Sequence, residues 1–354
     1  MRNVPFMVIV VFFITLFCLN GCGNSENVEA QDRKPLMDDH PEFRWIAGDC
    51  PHSDLEKVGY LRTGDENMPM VHPEAIATAG GKLYVIDSGI NNILVFDSNN
   101  RFLDKLFQDG EIEDEQFVIN LSVDEDGNLL LLRFKNFYIG SDKGLTRIRN
   151  EYDFQNGVLA GGRIYMLSIS DSLPQKDKLI KELSLSGEYR RSLGKRFLAD
   201  DFPDWIQLRG AMACWKNELF IVSTEYPTVA VISLPTGQQR SINVKVPALV
   251  KRGEYNCEAW RKDRRGVERF RGIVAVRDIE VADGNVYIMS QNHPEIIIAK
   301  INPDGTVARM YTHEEPDMTV LLEFAILKKG NSLVFYVLYA RERDEKVVIY
   351  KAAG

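Results

Sequence analysis

Between residues 82 and 97 the chain reads KLYVIDSGINNILVFD, two apolar runs hinged on a polar turn, and neither run alternates. A half-buried strand alternates with period two, whereas an unbroken apolar strand needs cover on both faces. The pattern recurs at 83–86, 129–132, 164–167, 219–222, 286–289 and 333–338. Each run is entered through a tight turn: Gly80-Gly81, Asp126-Gly127, Gly161-Gly162, Lys216-Asn217, Asp283-Gly284 and Gly330-Asn331. Gly and Asn tolerate the positive φ that two-residue hairpin turns require.

The neighbours of each copy also recur. A short strand precedes it, as at 75–77, 121–123 and 279–281, and a third follows, as at 93–96, 229–232 and 296–301. A turn such as Pro303-Asp304-Gly305 then leads to a more polar fourth strand at 307–311. Four strands grading from apolar to polar describe a propeller blade from axis to rim. The expected fold is all-β: a six-bladed β-propeller of four-stranded antiparallel blades. The sixth unit ends at 347–350, before any fourth strand. An open edge invites aggregation, so residues 57–62, with Val58, Tyr60 and Leu61, are expected to close the ring as that missing strand. No segment of the body shows a sustained 3.6-residue apolar stripe, so a helical reading of the body fails.

The N-terminus is organised differently. Arg2 precedes an apolar stretch at 4–19, which is followed by Asn20-Gly21-Cys22. That length fits a secretory signal better than a spanning helix, which needs about 20 residues. Leu19-Asn20-Gly21-Cys22 resembles the bacterial lipobox, which implies a signal peptide at 1–21 and a lipidated Cys22. An uncleaved anchor helix is the alternative, and either reading exports the rest. Residues 22–42 then form a flexible polar tether and 43–354 the propeller. The implied address is the bacterial cell envelope, with the lipid bilayer as partner. Cys50, Cys214 and Cys257 allow one disulfide with a thiol left over, or three free thiols.

HPEAIATAGGKLYVIDSGINNILVFDSNNRFLDKLF resembles an NHL repeat: Pro73 before Ala75-Ile76-Ala77, the Tyr84-Val85-x-Asp87 strand end, Asn92, and the Val95-Phe96-Asp97 ending. The mature body is similar to exported and lipid-anchored bacterial six-bladed propellers, NHL-like or TolB-like. In that family FQDGEIEDEQFVINLSVDEDGNLLLL falls where a glycine-rich loop joins the first two blades; this chain has no Gly-Pro-Gly there. The resemblance implies the fold more than a function, because propellers host many activities.

A formal net charge of −8 argues against a nucleic-acid binder. Asp124-Glu125-Asp126-Gly127-Asn128 has calcium-loop letters, but Leu129 and Lys135 stand where an EF-hand-type loop needs Gly and Glu, so a hairpin turn explains it. Among His40, His52, His72, His293 and His313 no two have local metal-pair spacing; His72 and His313 are expected to open blades. No metal, cofactor or catalytic residue is assigned. The alternative is a divalent-cation-dependent hydrolase or lactonase in the axial channel, with Glu74 and Asp278 as its acids.

The most distinctive stretch is an insertion at 245–277, with ten Lys/Arg against four Asp/Glu and with Tyr255, Trp260 and Phe270 interleaved. Guanidinium forks grip carboxylate, sulfate or phosphate, and aromatic rings stack on sugars. Trp260, Arg261, Lys262, Arg264, Arg265, Arg269 and Arg271 are therefore the candidate ligand-binding residues, for an anionic ligand such as an acidic glycan or for an envelope protein. A solvated loop or short helix with internally paired charges is the competing reading. The acidic tract at 109–115 is a candidate counterpart. The leading function is a non-catalytic binding or scaffolding propeller.

Overall fold

The computed structural model describes residues 41–45, 50–64, 70–107, 118–133, 136–141, 144–149, 154–168, 178–196, 210–263, 273–292, 294–316, 318–341 and 344–352. Cys22, His40, His293, Arg264, Arg265, Arg269, Arg271 and the acidic tract lie outside them.

After a 3-10 turn at Pro41–Phe43, strand β1 (His52–Tyr60) precedes four separate sheets. The first holds β2 (Pro73–Ala79), β3 (Lys82–Asp87), β4 (Asn92–Phe96) and β5 (Phe102–Lys105). The second holds β6 (Val118–Val123), β7 (Leu129–Arg133), β8 (Asn136–Ser141) and β9 (Gly144–Arg149). The third holds β10 (Phe154–Ala160), β11 (Arg163–Ser168), β12 (Ile180–Leu183) and β13 (Tyr189–Leu193). The fourth holds β14 (Gly210–Trp215), β15 (Glu218–Ser223), β16 (Thr228–Ser233) and β17 (Gln239–Asn243). Helix α1 (Pro247–Asp263) follows. Then come β18 (Asp278–Ala282), β19 (Asn285–Asn292), β20 (Glu295–Ile301), β21 (Val307–Glu314), β22 (Val320–Lys329), β23 (Ser332–Arg341) and β24 (Asp344–Ala352). Together with β1 these last seven strands form one eight-stranded sheet, ordered β18-β19-β20-β21-β1-β24-β23-β22.

The result is a propeller-like ring of sheets. Its first strands β2, β6, β10, β14, β18 and β22 follow one another in a closed circle, β22 packing back against β2. Six separate four-stranded sheets were expected; four stand alone and the remaining eight strands are continuous. The cause is β1. Leu55 to Tyr60 pair antiparallel with β24, as the open edge required, while His52 to Asp54 pair parallel with Met310 to Thr312 of β21. The seam is reinforced by Lys57 Nζ donating to Glu315 Oε2 at 2.7 Å, by the Tyr350 hydroxyl on the same oxygen at 3.1 Å, and by His52 Nε2 against Thr312 Oγ1 at 2.7 Å.

The unbroken apolar strands are covered on both faces. Leu83 and Val85 pack with Ala325, Val334 and Tyr336 of β22 and β23, whereas Tyr84 and Ile86 pack with Leu121, Leu129 and Leu131 of β6 and β7. The turn before β3 is Gly80-Gly81, with φ of 56° and 74°.

Part of the basic insertion forms the helix α1. Its inward side carries Ala248, Leu249, Arg252 and Asn256, all buried, so the apolar stripe is interrupted by two polar residues and the helical period is masked. Among the described residues Cys50, Cys214 and Cys257 take part in no disulfide.

Gly305, in the β20–β21 turn, sits at φ 87° with its Cα against the Asn243 backbone carbonyl at the end of β17, and a Cβ there would overlap that oxygen. Lys245 N–H also donates to Gly305 O at 2.7 Å. Gly305→Ala should therefore destabilise the fold by about 2–4 kcal/mol in urea unfolding, from a left-handed backbone and a clash with rigid main chain. A loss below about 0.5 kcal/mol, the range of a neutral surface change, would contradict this packing.

Candidate functional site in the axial ring

A first strand has only one sheet neighbour, so the backbone groups on its inner edge need partners from elsewhere. Among the described residues a side chain supplies one at four of the steps from one first strand to the next. Glu74 Oε2 on β2 accepts from Val118 N on β6 at 2.8 Å, and Ser122 Oγ on β6 accepts from Leu159 N on β10 at 3.1 Å. Asp278 Oδ2 on β18 accepts from Phe324 N on β22 at 2.8 Å, and Glu323 Oε2 on β22 accepts from Ile76 N on β2 at 3.0 Å. Each acceptor precedes its donor in the same sense round the ring.

Strand register identifies which residues share one level. Ala75, Asn120, Asn156, Ala211, Asp278 and Glu323 each sit opposite the equivalent apolar position of their second strand: Ile86, Leu132, Leu167, Val222, Met289 and Leu338. A register shift just ahead of this level, in β2, β6, β10 and β22, inserts Glu74, Ile119, Gln155 and Leu322. Bulges of this kind re-aim side chains and terminate pairing. The level is chemically lopsided, with acids on β18 and β22 and amides on β6 and β10. The Oδ1 atoms of Asn120 and Asn156 are buried without a hydrogen-bond partner among the described residues.

Glu280, two residues beyond Asp278, completes an acidic sector. Burial pushes Asp278 up to about 7, against the downward pull of the Phe324 and Ile279 amides and of Arg277. Burial and then the charge of Asp278 raise Glu280 to about 8. The same two causes hold Glu323 well above the ordinary carboxylate range. Each of the three keeps part of its surface open. Arg277 is turned aside: its Nε donates to Leu321 O at 2.5 Å. Such a sector can share protons near neutrality and can offer carboxyl O–H donors. Among the described residues, however, no three His, Cys, Asp or Glu side chains are arranged to hold a metal ion.

The individual candidates fall as follows. Asp278 lies in the acidic sector. Glu74 lies on the bulge of β2, where it also accepts from Ser88 Oγ at 2.9 Å. His72 precedes β2 as expected, with Nδ1 2.5 Å from Glu345 Oε2 and Nε2 3.6 Å from Glu74 Oε1. His313 does not open a blade: it ends β21 at the β1 seam, with Nδ1 2.9 Å from Leu55 O, because β1 brings a backbone edge to that strand. The Asp124 carboxylate is occupied by the turn amides of Asp126 and Asn128. Glu280, Glu323, Asn120 and Asn156 escaped the sequence reading. Their signal was a polar residue within a short apolar first strand, as in DIEVA and VLLEFAIL.

Of the basic insertion, α1 presents Lys251, Glu254, Glu258 and Arg261 to solvent; Trp260 and Lys262 also lie on this helix. Arg252 and Arg277, counted among its ten bases, are structural. Arg252 is fully buried and donates to Phe43 O at 2.8 Å, Val274 O at 3.2 Å, Ser290 Oγ at 2.9 Å and Asn292 Oδ1 at 2.7 Å. Burial lowers its guanidinium to about 10, so it stays charged at neutral pH. Asn256 donates to Ile273 O and Glu225 O and accepts from Ile273 N at 2.7 Å. Trp45 is buried beside them, its N–H and C=O both held by Asn292. Helix α1 is thus bolted to the sheet below and to the N-terminal segment.

No protein-family model matches the chain, and no curated protein matches it in sequence. Among solved structures it is similar to a Bacteroides fragilis protein described as exported, at 9% identity, TM-score 0.51, over 86% of this chain and 99% of that one. It is also similar to a structural genomics protein of unknown function from Bacteroides thetaiotaomicron, at 10% identity, TM-score 0.51, over 86% of this chain and 74% of that one. U3-55K matches at 11% identity, TM-score 0.51, over 84% and 98%. At these identities the likeness concerns the fold, and the class is the β-propeller.

Two outcomes follow from this geometry. A carboxyl raised in the folded state favours folding below its unfolded value, about 4, and loses that contribution as pH rises through its folded value. With Asp278 near 7 and Glu280 near 8, the melting temperature should fall from pH 5 to pH 9, and Asp278→Asn/Glu280→Gln should flatten that slope. An unchanged slope in the double variant would contradict the assignment. Arg252→Met should cost about 2–4 kcal/mol in urea unfolding, since it strands several buried acceptors; a neutral result would contradict its anchoring role.

Proposed function

We propose that this chain is an exported, lipid-anchored bacterial envelope protein whose propeller binds a ligand rather than transforming it. In this reading residues 1–21 are removed, Cys22 carries the lipid, and the ring counts as six blades of the NHL-like or TolB-like kind. The eight-stranded sheet then consists of two blade equivalents, β18 to β21 and β22 to β24 with β1, fused through β1.

The ligand is anionic, an acidic glycan in the first instance, and is met by Trp260, Arg261 and Lys262 at the end of α1 together with Arg264, Arg265, Arg269 and Arg271 of the residues that follow it in sequence. The observation that carries this reading is the anchoring of α1. A helix locked by Arg252 and Asn256 is a rigid mount, and binding residues are commonly displayed from such mounts on propeller-type scaffolds. Bases confined to a flexible tail would lose more entropy on binding.

Arg264→Ala/Arg265→Ala should weaken binding of polygalacturonate about tenfold or more by calorimetry, with the melting temperature unchanged. Equal affinity in the variant would refute the assignment, and a collapse in stability would mean that these arginines are structural pairs.

The second reading, a divalent-cation-dependent hydrolase in the channel, is favoured by the sector of Asp278, Glu280 and Glu323. A cation held only by the folded state raises the melting temperature by mass action. Excess calcium over EDTA should leave it unchanged if the protein is a binding propeller, and an upward shift would favour the hydrolase.

A further inference from the structure

The propeller is fastened to its N-terminal stretch at two places that lie in series along the chain. The first is Pro41–Trp45, ahead of β1. Phe43 O accepts from Arg252 Nε at 2.8 Å, and the Phe43 ring meets Tyr255 of α1 edge-on, with centroids 5.4 Å apart. Trp45 N–H donates to Asn292 Oδ1 at 3.0 Å while Asn292 Nδ2 donates to Trp45 O at 2.6 Å. A side-chain amide thus stands in for a neighbouring strand. Both aromatic side chains are buried, and Trp45 packs with Val222, Ile288 and Ile297 in the apolar cluster of β14 to β21.

The second fastening, the β1 seam, is of another kind. Of the nine residues of β1 only Leu55 is buried. The strand is held by its ladders on β24 and β21, extended by Met310 N to Pro51 O at 2.8 Å and Leu61 N to Val347 O at 2.9 Å. A strand held mainly by backbone bonds is vulnerable to peeling, because tension at its end loads the ladder one bond at a time. Losing β1 would also reopen the edges of β21 and β24.

Tension entering from residues before 41 meets Phe43 and Trp45 first. While they hold, none of it reaches β1. When they let go, residues 41–51 add at most about 40 Å of slack, at ~3.3–3.6 Å per residue, before the strand is pulled.

We propose that Pro41–Trp45 is a strap that takes up tension from the N-terminal segment and shields the ring-closing strand from it. The origin of that tension rests on the reading of Cys22 as a lipid anchor. Helix α1 is the buckle: Arg252 donates to Phe43 O and, through Nη2, to the same Asn292 Oδ1 that receives Trp45 N–H, at 2.7 Å. A pull strong enough to open the strap therefore removes partners from Arg252 and Asn292 and loosens the mount of α1.

Magnetic tweezers at constant force test this on the chain from residue 23 onward. One handle is clicked to an azide-bearing side chain in place of Asp126, in the exposed turn before β7. The other is placed either at the N-terminus or, beyond the strap, at an azide-bearing side chain in place of Asp49. Pulled from position 49, β1 should open about tenfold sooner, or more, than when pulled from the N-terminus. Asn292→Ala should shorten the dwell under the N-terminal pull about tenfold, since it removes both bonds to Trp45, and leave the dwell under the pull from 49 unchanged. Phe43→Ala, which alters the strap alone, should do the same and guards against a folding defect in Asn292→Ala. Equal dwells from the two pulling points would overturn the proposal. So would variants that change neither dwell, or that shorten both alike. The anchor is tested apart from the strap, by whether Cys22→Ser releases the full-length chain from membranes; retention there would refute the anchor without altering the strap measurement.

Discussion

The edge problem of the innermost strands governs this molecule. Each first strand leans on a single partner, and its other backbone edge turns toward the next sheet and the axis. A closed ring leaves no room for another strand there, so side chains must serve instead. Glu74, Ser122, Asp278 and Glu323 do so by accepting the N–H of the next first strand. Those four contacts tie each of these first strands to the next and add to the apolar packing and other polar contacts between neighbouring sheets. The raised proton affinity of the acidic sector is a consequence: two of these acceptors, Asp278 and Glu323, are deprived of water and lie close enough to each other and to Glu280 to repel.

The outer edge problem is solved once, by β1. One strand pairs with the last strand of the chain along most of its length and with β21 along its first three residues. Two sheets that would otherwise be separate become one, and the chain is closed by its own beginning. The same N-terminal stretch contributes Phe43 and Trp45 to the anchoring of α1. Closure and the mounting of the helix therefore share a segment.

Much of this was legible in the sequence for a plain reason. Unbroken apolar runs such as Leu83 to Ile86 can exist only where two neighbours cover them, and a final unit lacking its fourth strand must find it elsewhere. What escaped notice had no hydrophobic signature. The parallel pairing of His52, Ser53 and Asp54 is carried by backbone bonds under polar side chains. Helix α1 hides its period because Arg252 and Asn256 occupy inward positions that usually hold aliphatic residues. Asp278 was noticed but for a metal role, whereas its carboxylate is spent largely on the amides of Phe324 and Ile279.

The functional proposals rest on rigid parts of one scaffold, and that rigidity begins at the inner ring. Amide hydrogen exchange at single-residue resolution measures it directly. The account predicts that Ile76, Val118, Leu159 and Phe324 exchange as slowly as amides in the covered second strands, such as Val85 and Leu131, because each is capped by a neighbouring side chain. Fast exchange at these four positions, with the second strands still protected, would mean that the inner edges are open and that the ring is held by apolar packing alone.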